Sequence, residues 1–404
     1  MRRYDLDALV ATSPANITYF TDYYCWLDPL FREHMMVPGA PSHLRQAYAV
    51  FPLEGEPALV VSAESAVNAA DLWVRDLHIF GDRTLDDSLP PAALSDELRR
   101  FYDLLQGPNR KKTSTDALLS ILKARGLTGS RIGLEMDGLA PTAAETITSR
   151  LPQAELKDCS SLIRLLRAVK TPDEIDRLTR CAAINEQAAA ESMALARPGQ
   201  PAGDIVQRFR AGVAALGADY DHFIFGVRGM GFASETNYRL TEDDVLEVDF
   251  GCIYRQCFSD SGTTLAVCEP TEPLLERHAA LWACTSAGAE VIAPGVKASS
   301  VNKAMWDVLA AHGVTASFPH GHGLGVEVRD YPIIVADNGL RIRDDCVDEP
   351  SDLPLEANMV INLEASIEVP AVGSVHVEQS FLVTDGGRQL LVPQERSEPF
   401  MSHR

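Results

Sequence analysis

The sequence lacks the cysteine spacing and the long apolar runs that define several large classes of protein. None of its 8 cysteines forms a C-x-x-C pair, and a chain of 404 residues needs no disulfides to stabilise its core. No apolar run approaches the roughly 18 residues of a membrane span, and the first residues lead into a strand-like run rather than a signal peptide. We therefore expect reduced thiols, a cytoplasmic location and no membrane partner.

Basic residues are also scarce relative to acidic ones. The chain has 36 Lys and Arg against 57 Asp and Glu, which gives a net charge of −21. Proteins that bind a phosphate backbone or an anionic membrane surface need basic patches. The charge therefore argues against a nucleic acid or a membrane surface as partner, and it carries no information about the fold.

The length predicts two domains, because 404 residues exceed what one hydrophobic core of ordinary size accommodates. In the first part of the chain, apolar runs at residues 6–12, 47–51 and 57–62 alternate with helical patterns such as residues 113–126. Alternation of strands and helices predicts an α/β domain. We place this domain at residues 1–160.

The second part opens with a strong helix start. Thr171 suits the N-cap, Pro172 suits the first helical position and Glu174 completes a capping box. Beyond about residue 245, longer strands and helices are segregated along the chain instead of alternating. This arrangement predicts an α+β domain, which we place at residues 161–404.

Acidic side chains stand inside apolar strands of the second domain. Asp249 lies between Val248 and Phe250, and Glu364 and Glu378 have similar apolar neighbours. A buried carboxylate costs several kcal/mol unless it is paired or binds a metal. One such residue alone is more often a solvated edge position, whereas three in one domain favour a shared pair of divalent cations.

Two further residues complete a candidate ligand set. Asp260 lies at the start of the neighbouring strand, and His322 stands in the glycine-rich turn His-Gly-His-Gly-Leu-Gly. Carboxylate and imidazole ligands without thiolate suit manganese, iron, cobalt or zinc. The sequence thus predicts two divalent metal ions, manganese first, held by a set of five residues: Asp249, Asp260, His322, Glu364 and Glu378.

Four motifs, taken in order, resemble those of the creatinase/prolidase/aminopeptidase P family of M24 metallohydrolases. They are Val-Asp-Phe-Gly followed by Ser-Asp-Ser-Gly-Thr (248–263), the His-Gly-His-Gly-Leu-Gly run (320–325), Leu-Glu-Ala (363–365) and His-Val-Glu-Gln (376–379). Each motif is weak alone, but their order and spacing are specific, and the resemblance covers nearly the whole chain. It implies a creatinase-like N-terminal domain, a pita-bread catalytic domain and a homodimer.

The resemblance also implies a role for each ligand. Asp249 would chelate one metal, and Asp260 and Glu378 would bridge both. His322 and Glu364 would complete the shell of the second metal, and Glu364 would also handle the proton of a bridging water. The implied reaction is hydrolysis of an amide or peptide bond in a small-molecule or dipeptide substrate. An Xaa-Pro dipeptide is the leading candidate substrate.

Three positions around this set depart from the family pattern. Arg329 and Phe232 stand where family members usually carry histidines, and His376 stands where they usually carry arginine. Arg329 is a candidate to bind a substrate carboxylate in a bidentate manner. His376 is a candidate oxyanion donor or partner of Glu378. His222 is a candidate for the missing imidazole, and a structural histidine is the alternative.

These departures keep other functions open. One alternative is a non-peptidase of the same fold, such as a metal-dependent dimethylsulfoniopropionate lyase or a small-amide hydrolase resembling creatinase or ectoine hydrolase. Creatinase itself lacks the metal ligands, so the presence of all five ligands in this chain argues against creatinase activity in the strict sense. Another alternative is a non-catalytic binding module, which the five ligands and the net charge of −21 argue against.

A long segment at residues 23–43 contains aromatic residues and prolines, and loops of that length usually have a function or are disordered. The resemblance implies that the part from Tyr23 to Phe31 covers the site of the partner in a homodimer. A hydrophobic edge of the N-terminal core is the alternative. Family members also carry a helix before the first strand, so the sequence is expected to start short of a full domain.

Overall fold

A computed structural model describes residues 1–28, 30–40, 45–69, 71–82, 94–106, 110–234, 237–394 and 396–402. The chain forms two compact units, Met1–Ile163 with Ile342–Asp348, and Arg164–Arg341 with Glu349–Arg404. The pattern of elements gave no sign that the short segment at residues 342–348 belongs with the first unit. Among the described residues, no helix is both long and apolar enough to cross a membrane.

Strands and helices alternate in the first unit, as predicted for an α/β domain. In chain order they are β1 (Ala8–Ala11), α1 (Pro14–Thr21), α2 (Glu33–Met36), β2 (Tyr48–Pro52), β3 (Ala58–Ser62), β4 (Asp76–Phe80), α3 (Asp96–Gln106), α4 (Ser114–Ala124), β5 (Arg131–Leu134), α5 (Pro141–Arg150) and β6 (Glu155–Asp158). The six strands form one sheet in the order β4-β3-β2-β1-β5-β6. Alternate strand residues enter two separate apolar clusters, so both faces of the sheet are covered.

Helix α1 follows β1 closely in the chain. The side chain of Ser13 accepts a hydrogen bond from the backbone N–H of Asn16, and Pro14 takes the first helical position. Residues that favour turns thus serve here as a helix start. In the following segment, Tyr23 and Cys25 are buried in an apolar cluster. Residues 29 and 41–43 of the predicted long loop lie outside the described part.

The remaining elements include long strands and helices. In chain order they are α6 (Ser160–Ala168), α7 (Pro172–Met193), α8 (Ala202–Ala215), β7 (Asp219–Gly226), β8 (Phe232–Ala233), β9 (Val245–Tyr254), β10 (Cys257–Ala266), α9 (Glu272–Glu290), α10 (Ala298–Ala311), β11 (His320–Gly323), β12 (Asp330–Ile334), β13 (Arg341–Arg343), β14 (Asp348–Pro350), β15 (Val360–Val369), β16 (Gly373–Thr384), β17 (Gly387–Leu390) and β18 (Phe400–Met401). The predicted capping box at the start of α7 is confirmed, because Thr171 and Glu174 bond to each other's backbone N–H groups.

Two five-stranded sheets dominate the second unit, with the orders β18-β10-β9-β7-β8 and β12-β11-β15-β16-β17. Helices α7 and α8 pack on the first sheet, and α9 and α10 pack on the second. The sheets meet where β10 lies beside β16. There the hydroxyl of Thr264 donates to the carbonyl of His376 over 3.0 Å and accepts from its N–H over 2.9 Å. This segregation of helices from strands confirms the α+β prediction.

The alternation of side chains between the two faces of a strand explains how carboxylates come to lie inside this unit. Val248 and Phe250 on β9 enter the apolar cluster beneath α7 and α8, and Val375 and Val377 on β16 enter the cluster beneath α9 and α10. Successive strand residues point to opposite faces. The intervening polar residues of both sheets therefore point away from the helices, towards the place where the sheets meet.

Candidate metal centre

Five different strands carry the five predicted ligands to this meeting place. Asp249 lies on β9 and Asp260 on β10, while β11, β15 and β16 carry His322, Glu364 and Glu378 respectively. Glu364 is directly opposite Glu378 in the β15–β16 register. Their side chains lie within metal-ligating distance of one another in overlapping groups. Hydrogen-bonded strands thus bring together side chains that are far apart in the sequence.

The β9–β10 hairpin sets each aspartate opposite a glycine. In its register, Asp249 pairs with Gly262 and Asp260 pairs with Gly251. A Cβ atom on Gly251 would lie 2.7 Å from Nδ1 of His222. A Cβ atom on Gly262 would lie 2.6 Å from Oε2 of Glu378. The glycines therefore leave room beside the carboxylates for other functional side chains.

His222 reaches this group from β7. Its Nε2 lies 2.9 Å from Oδ1 of Asp249 and 3.3 Å from Oδ1 of Asp260, while its Nδ1 lies 2.8 Å from Oδ2 of Asp221. Burial lowers the pKa of the His222 imidazole, but the three carboxylates outweigh burial and raise that pKa above its ordinary value. The structure thus places His222 in direct contact with two of the predicted ligands.

His322 lies on a short strand, so the predicted glycine-rich turn at this position is wrong. Strand β11 (His320–Gly323) pairs with β12 and β15, and its register shifts after His322. Gly321 and Gly323 allow this strand, because a Cβ atom on either would overlap the backbone of a neighbouring strand. Nε2 of His322 lies 3.5 Å from Oδ2 of Asp260 and 3.7 Å from Oε1 of Glu364.

Glu364 has two basic neighbours besides His322. Nε2 of His320 lies 2.8 Å from Oε1 of Glu364, and Nη2 of Arg329 lies 3.4 Å from the same oxygen. The Arg329 side chain is 57% exposed, so it reaches from the carboxylate into solvent. The next residue, Asp330, is held by the buried Arg167, whose Nη2 lies 3.1 Å from Oδ1. The start of β12, directly after Arg329, is therefore held in place.

His376 is buried on the far side of the group. Its Nε2 lies 3.7 Å from Oε2 of Glu364 and 3.8 Å from Oε2 of Glu378, and its Nδ1 lies 3.7 Å from Oε1 of Glu247. Neither ring nitrogen makes a hydrogen bond within the described part of the chain. The ring is thus free to donate to a group that enters between Glu364 and Glu378.

Burial and crowding govern the charge states of the carboxylates. Burial, followed by the charges of Asp260 and Asp249, raises the pKa of Glu378 well above its ordinary value. Burial also raises the pKa of Glu247 to about 7. Asp260 behaves in the opposite way, because contacts with His222 and His322 outweigh burial and lower its pKa. Carboxylates packed this closely need a cation to be ionised together.

The buried atoms without partners test whether a metal suits this group. Oδ1 of Asp260, Nε2 of His322 and Oε2 of Glu378 make no hydrogen bond within the described residues. Three ligand groups meet the spacing that a metal requires: His222-Asp249-Asp260, Asp260-His322-Glu378 and Glu364-His376-Glu378. The donors are oxygen and nitrogen atoms, and their unpaired state would be costly without a cation. The residues therefore fit a divalent metal site.

Some residues of the site were missed by the sequence analysis. Glu247 is 3% exposed and stands two residues before Asp249 on the same strand face. Asn362 donates to Oε1 of Glu378 over 2.8 Å and to the backbone carbonyl of Asp260 over 2.9 Å. Both are polar residues within apolar strands, which is the signal that identified Asp249 and Glu364. Phe232, in contrast, lies on β8 and is 66% exposed.

Comparison with known families agrees with this geometry. The model of "Metallopeptidase family M24" matches residues 176–385, and the "Creatinase/Prolidase N-terminal domain" model matches residues 1–169. The chain therefore belongs to metallopeptidase family M24 and is a hydrolase of the metallopeptidase type. Its fold is the predicted α/β N-terminal domain followed by a pita-bread domain.

Individual relatives agree with the family assignment. The chain is 26% identical over 269 residues to an uncharacterized peptidase, YqhT, from Bacillus subtilis, which covers 65% of this chain and 72% of the relative. It is 30% identical over 235 residues to the probable dipeptidase PepE of Mycobacterium tuberculosis, covering 56% and 59% of the two chains. A prolidase from Pyrococcus furiosus shares the fold, with a TM-score of 0.70, 19% identity and coverage of 98% and 99%.

Proposed function

We propose that the protein is a dinuclear metal-dependent hydrolase that cleaves the amide bond of a small substrate, with an Xaa-Pro dipeptide first. The observation that carries the proposal is the convergence of the five predicted ligands, three of which (Asp260, His322 and Glu378) have a buried atom without a hydrogen-bond partner in the described structure. The names of its relatives, a probable dipeptidase and a prolidase, support a dipeptide substrate. Manganese is the metal we expect first, followed by iron, cobalt or zinc.

In this proposal Asp249 and Asp260 would hold one ion, and His322 and Glu364 would hold the second. Asp260 and Glu378 each belong to two of the candidate ligand groups and would contribute to both ions. When bound, two such ions lower the pKa of a shared water and polarise the substrate carbonyl. Asn362 fixes the Glu378 carboxylate through a hydrogen bond of 2.8 Å, which keeps its other oxygen, Oε2, directed into the site.

Glu364 is the proposed general base and acid. Its Oε1 lies beside His320 and Arg329, and its Oε2 lies 3.7 Å from Nε2 of His376. Burial opposes ionisation of Glu364, but His320 outweighs burial and lowers the pKa of this carboxyl. An ionised Glu364 is ready to accept a proton from the attacking water and to return it to the leaving amine.

His376 and Arg329 are the proposed substrate-directed groups. Nε2 of His376, which makes no hydrogen bond in the described structure, would donate to the developing oxyanion between Glu364 and Glu378. Arg329 is half-exposed beside the same Glu364 and would bind the substrate's carboxylate from the solvent side. His222, bonded to Asp249, supplies an imidazole close to the ligands.

The cytoplasm and a homodimer complete the proposal. All eight cysteines are free thiols, and six of them are buried, which suits a reducing compartment. Several apolar side chains near residues 24–37 are exposed in the first unit: Tyr24, Trp26, Leu27, Leu30, Met35 and Val37. Exposed apolar side chains concentrated in one segment support a surface that a second copy of the chain covers.

Elemental analysis of the purified protein, combined with turnover of Gly-Pro, Ala-Pro and dimethylsulfoniopropionate, tests this function. The wild type should contain about two metals per chain and cleave Xaa-Pro dipeptides. Asp260→Ala should lose metal and turnover together. Asp307→Ala is the matched control, because this aspartate lies on the exposed face of α10 and pairs only with Lys303 among the ion pairs of the described chain.

Each other outcome changes the conclusion. Two metals with elimination of the thioether from dimethylsulfoniopropionate, and no dipeptide cleavage, would replace the hydrolase by a lyase. Two metals with no turnover of any of the three compounds would remove the dipeptidase proposal and direct the search to small amides. A wild-type protein without metal would overturn the dinuclear mechanism altogether.

A further inference from the structure

The imidazole of His222 has the geometry of a metal ligand. Its Nε2 points at Oδ1 of Asp249 over 2.9 Å and at Oδ1 of Asp260 over 3.3 Å. The second of these oxygens is buried and makes no hydrogen bond in the described structure. One nitrogen and two carboxylate oxygens from β7, β9 and β10 therefore converge on a single point, at the spacing that a metal ion requires.

The opposite side of the ring is also arranged for metal binding. Nδ1 of His222 lies 2.8 Å from Oδ2 of Asp221. Metal-binding histidines almost always donate their second N–H to a carboxylate or carbonyl, which fixes the tautomer and leaves the other nitrogen's lone pair for the metal. Asp221 is in position to do this, so Nε2 is available as a ligand.

The backbone of the hairpin accommodates this ring. Gly251 lies opposite both His222 in the β7–β9 register and Asp260 in the β9–β10 register. A Cβ atom at residue 251 would lie 2.7 Å from Nδ1 of His222 and even closer to its Cε1. Glycine at this position therefore leaves the space that the imidazole occupies beside the two aspartates. The register of β7 also shifts between Tyr220 and His222.

We propose that His222 is a sixth protein ligand, which binds the metal held by Asp249 and Asp260, with Asp221 as its orienting partner. This inference rests on the proposed metal function and extends it. The five-residue set contains one histidine, His322, beside Glu364; the sixth ligand gives the other ion a histidine as well. Each ion would then have one nitrogen ligand. A site of this kind would bind ions such as Co²⁺ and Zn²⁺ more tightly than the five-residue set alone.

Titration of the metal-free protein with Co²⁺ tests the proposal without recourse to turnover. The dissociation constant of each bound ion is measured by competition with a chelator, and the visible absorption of bound Co²⁺ reports its ligands. His222→Ala should raise the dissociation constant of one of the two Co²⁺ ions by about 10- to 100-fold and change the absorption spectrum of that ion. Asp221→Asn should raise the dissociation constant of the same ion by about 10-fold, while the imidazole of His222 remains present.

Two further variants separate ligand loss from damage to the fold. Gly251→Ala should weaken the same ion as His222→Ala, because the added methyl group displaces the ring. His312→Ala is the control, since this histidine is exposed at the end of α10. It should leave both dissociation constants unchanged.

The failure of this inference differs from failure of the proposed function. If His222→Ala and Asp221→Asn leave both Co²⁺ constants and the spectrum unchanged, His222 is not a ligand, although the five-residue site stands. If His222→Ala binds Co²⁺ more tightly than the wild type, the imidazole competes with the metal as a cation, and the proposal is also overturned. If the wild type binds no Co²⁺ at all, both the function and this ligand are wrong.

Discussion

At the scale of single residues, the side chains around the carboxylates differ in how far they reach solvent. Arg329 is 57% exposed, whereas His376 is only 2% exposed. An exposed basic side chain beside the site is accessible to an incoming substrate. A buried basic side chain can contact only atoms that enter the site. We therefore propose a binding role for Arg329 and a catalytic role for His376, two of the three residues that depart from the usual family pattern.

Arg329→Lys should raise the KM for Gly-Pro by about 10-fold while changing kcat little. Lysine keeps the charge but loses the planar pair of donors that binds a carboxylate in two places, and an interaction made equally in ground and transition states affects KM. Steady-state kinetics measures both constants. Arg343→Lys is the control, because Arg343 is exposed and paired with Asp348. A large fall in kcat at unchanged KM would contradict this assignment of Arg329.

Gly262→Ala should lower both stability and turnover. The added Cβ atom would lie 2.6 Å from Oε2 of Glu378 and would overlap the His376 ring, and overpacking of this kind costs about 1–3 kcal/mol. Urea denaturation measures the change in the free energy of unfolding. Gly386→Ala is the control, since no atom of the described residues other than its chain neighbours lies within 4 Å of its Cβ position. Equal stability of the two variants would show that the strands adjust freely.

Single residues could be predicted from the sequence where a polar group broke an apolar pattern. Asp249, Glu364 and Glu378 were identified in this way, and the structure brings them together. Asp221 and Asn362 were not identified. Asp221 acts through its neighbour His222, whose other ring nitrogen lies beside Asp249 on a different strand. Asn362 acts through Glu378, which is 16 residues away on the paired strand. Distances across a sheet depend on strand register, which the sequence pattern alone does not specify.

At the scale of elements, local patterns predicted several strands and helices, whereas the short strand β11 was not predicted. The capping box predicted the start of α7 at Pro172 because Thr171 and Glu174 form local bonds that need no tertiary context. The run from His320 to Gly323 was predicted as a turn, since glycine usually marks turns. Here glycine instead permits close approach of β11 to β12 and β15, which is a tertiary cause.

Helix α9 carries a histidine that should make the protein's stability depend on pH. His278 is 1% exposed, and burial, with the nearby charge of Arg396, lowers its pKa to about 4. The unfolded chain therefore binds a proton more readily than the folded one, so stability falls as pH decreases from about 6.5 to about 4. The full effect is about 3 kcal/mol at most, since one pKa unit corresponds to about 1.4 kcal/mol.

Comparison of wild type with His278→Leu measures this contribution. The difference in unfolding free energy between them, obtained from urea denaturation at several pH values, should change by up to about 3 kcal/mol across that window. It should be constant above pH 7. Metal-free protein is used for both, so that the ligands contribute equally. Parallel pH profiles for the two proteins would show that His278 does not titrate differently on folding.

At the scale of the whole molecule, the predicted homodimer depends on the apolar surface of the first unit. Leu30 is 60% exposed within this surface, so Leu30→Glu should convert a dimer into a monomer of 44.0 kDa. A charge buried at an interface without a partner costs several kcal/mol. Light scattering with size exclusion measures the mass. Leu340→Glu, at a position 65% exposed in a different part of the chain, should leave the dimer intact. A monomeric wild type would contradict the prediction.

The two glycines opposite the aspartates have a consequence for how this site can change over evolution. Gly251 makes room for His222, and Gly262 makes room for His376 and Glu378. A lineage that loses either imidazole no longer needs the glycine beneath it, while a lineage that first gains a larger residue there must give up the imidazole. Related sequences should therefore change each glycine together with its histidine. Co-variation of these pairs would mark the lineages that keep the same arrangement of imidazoles beside the carboxylates.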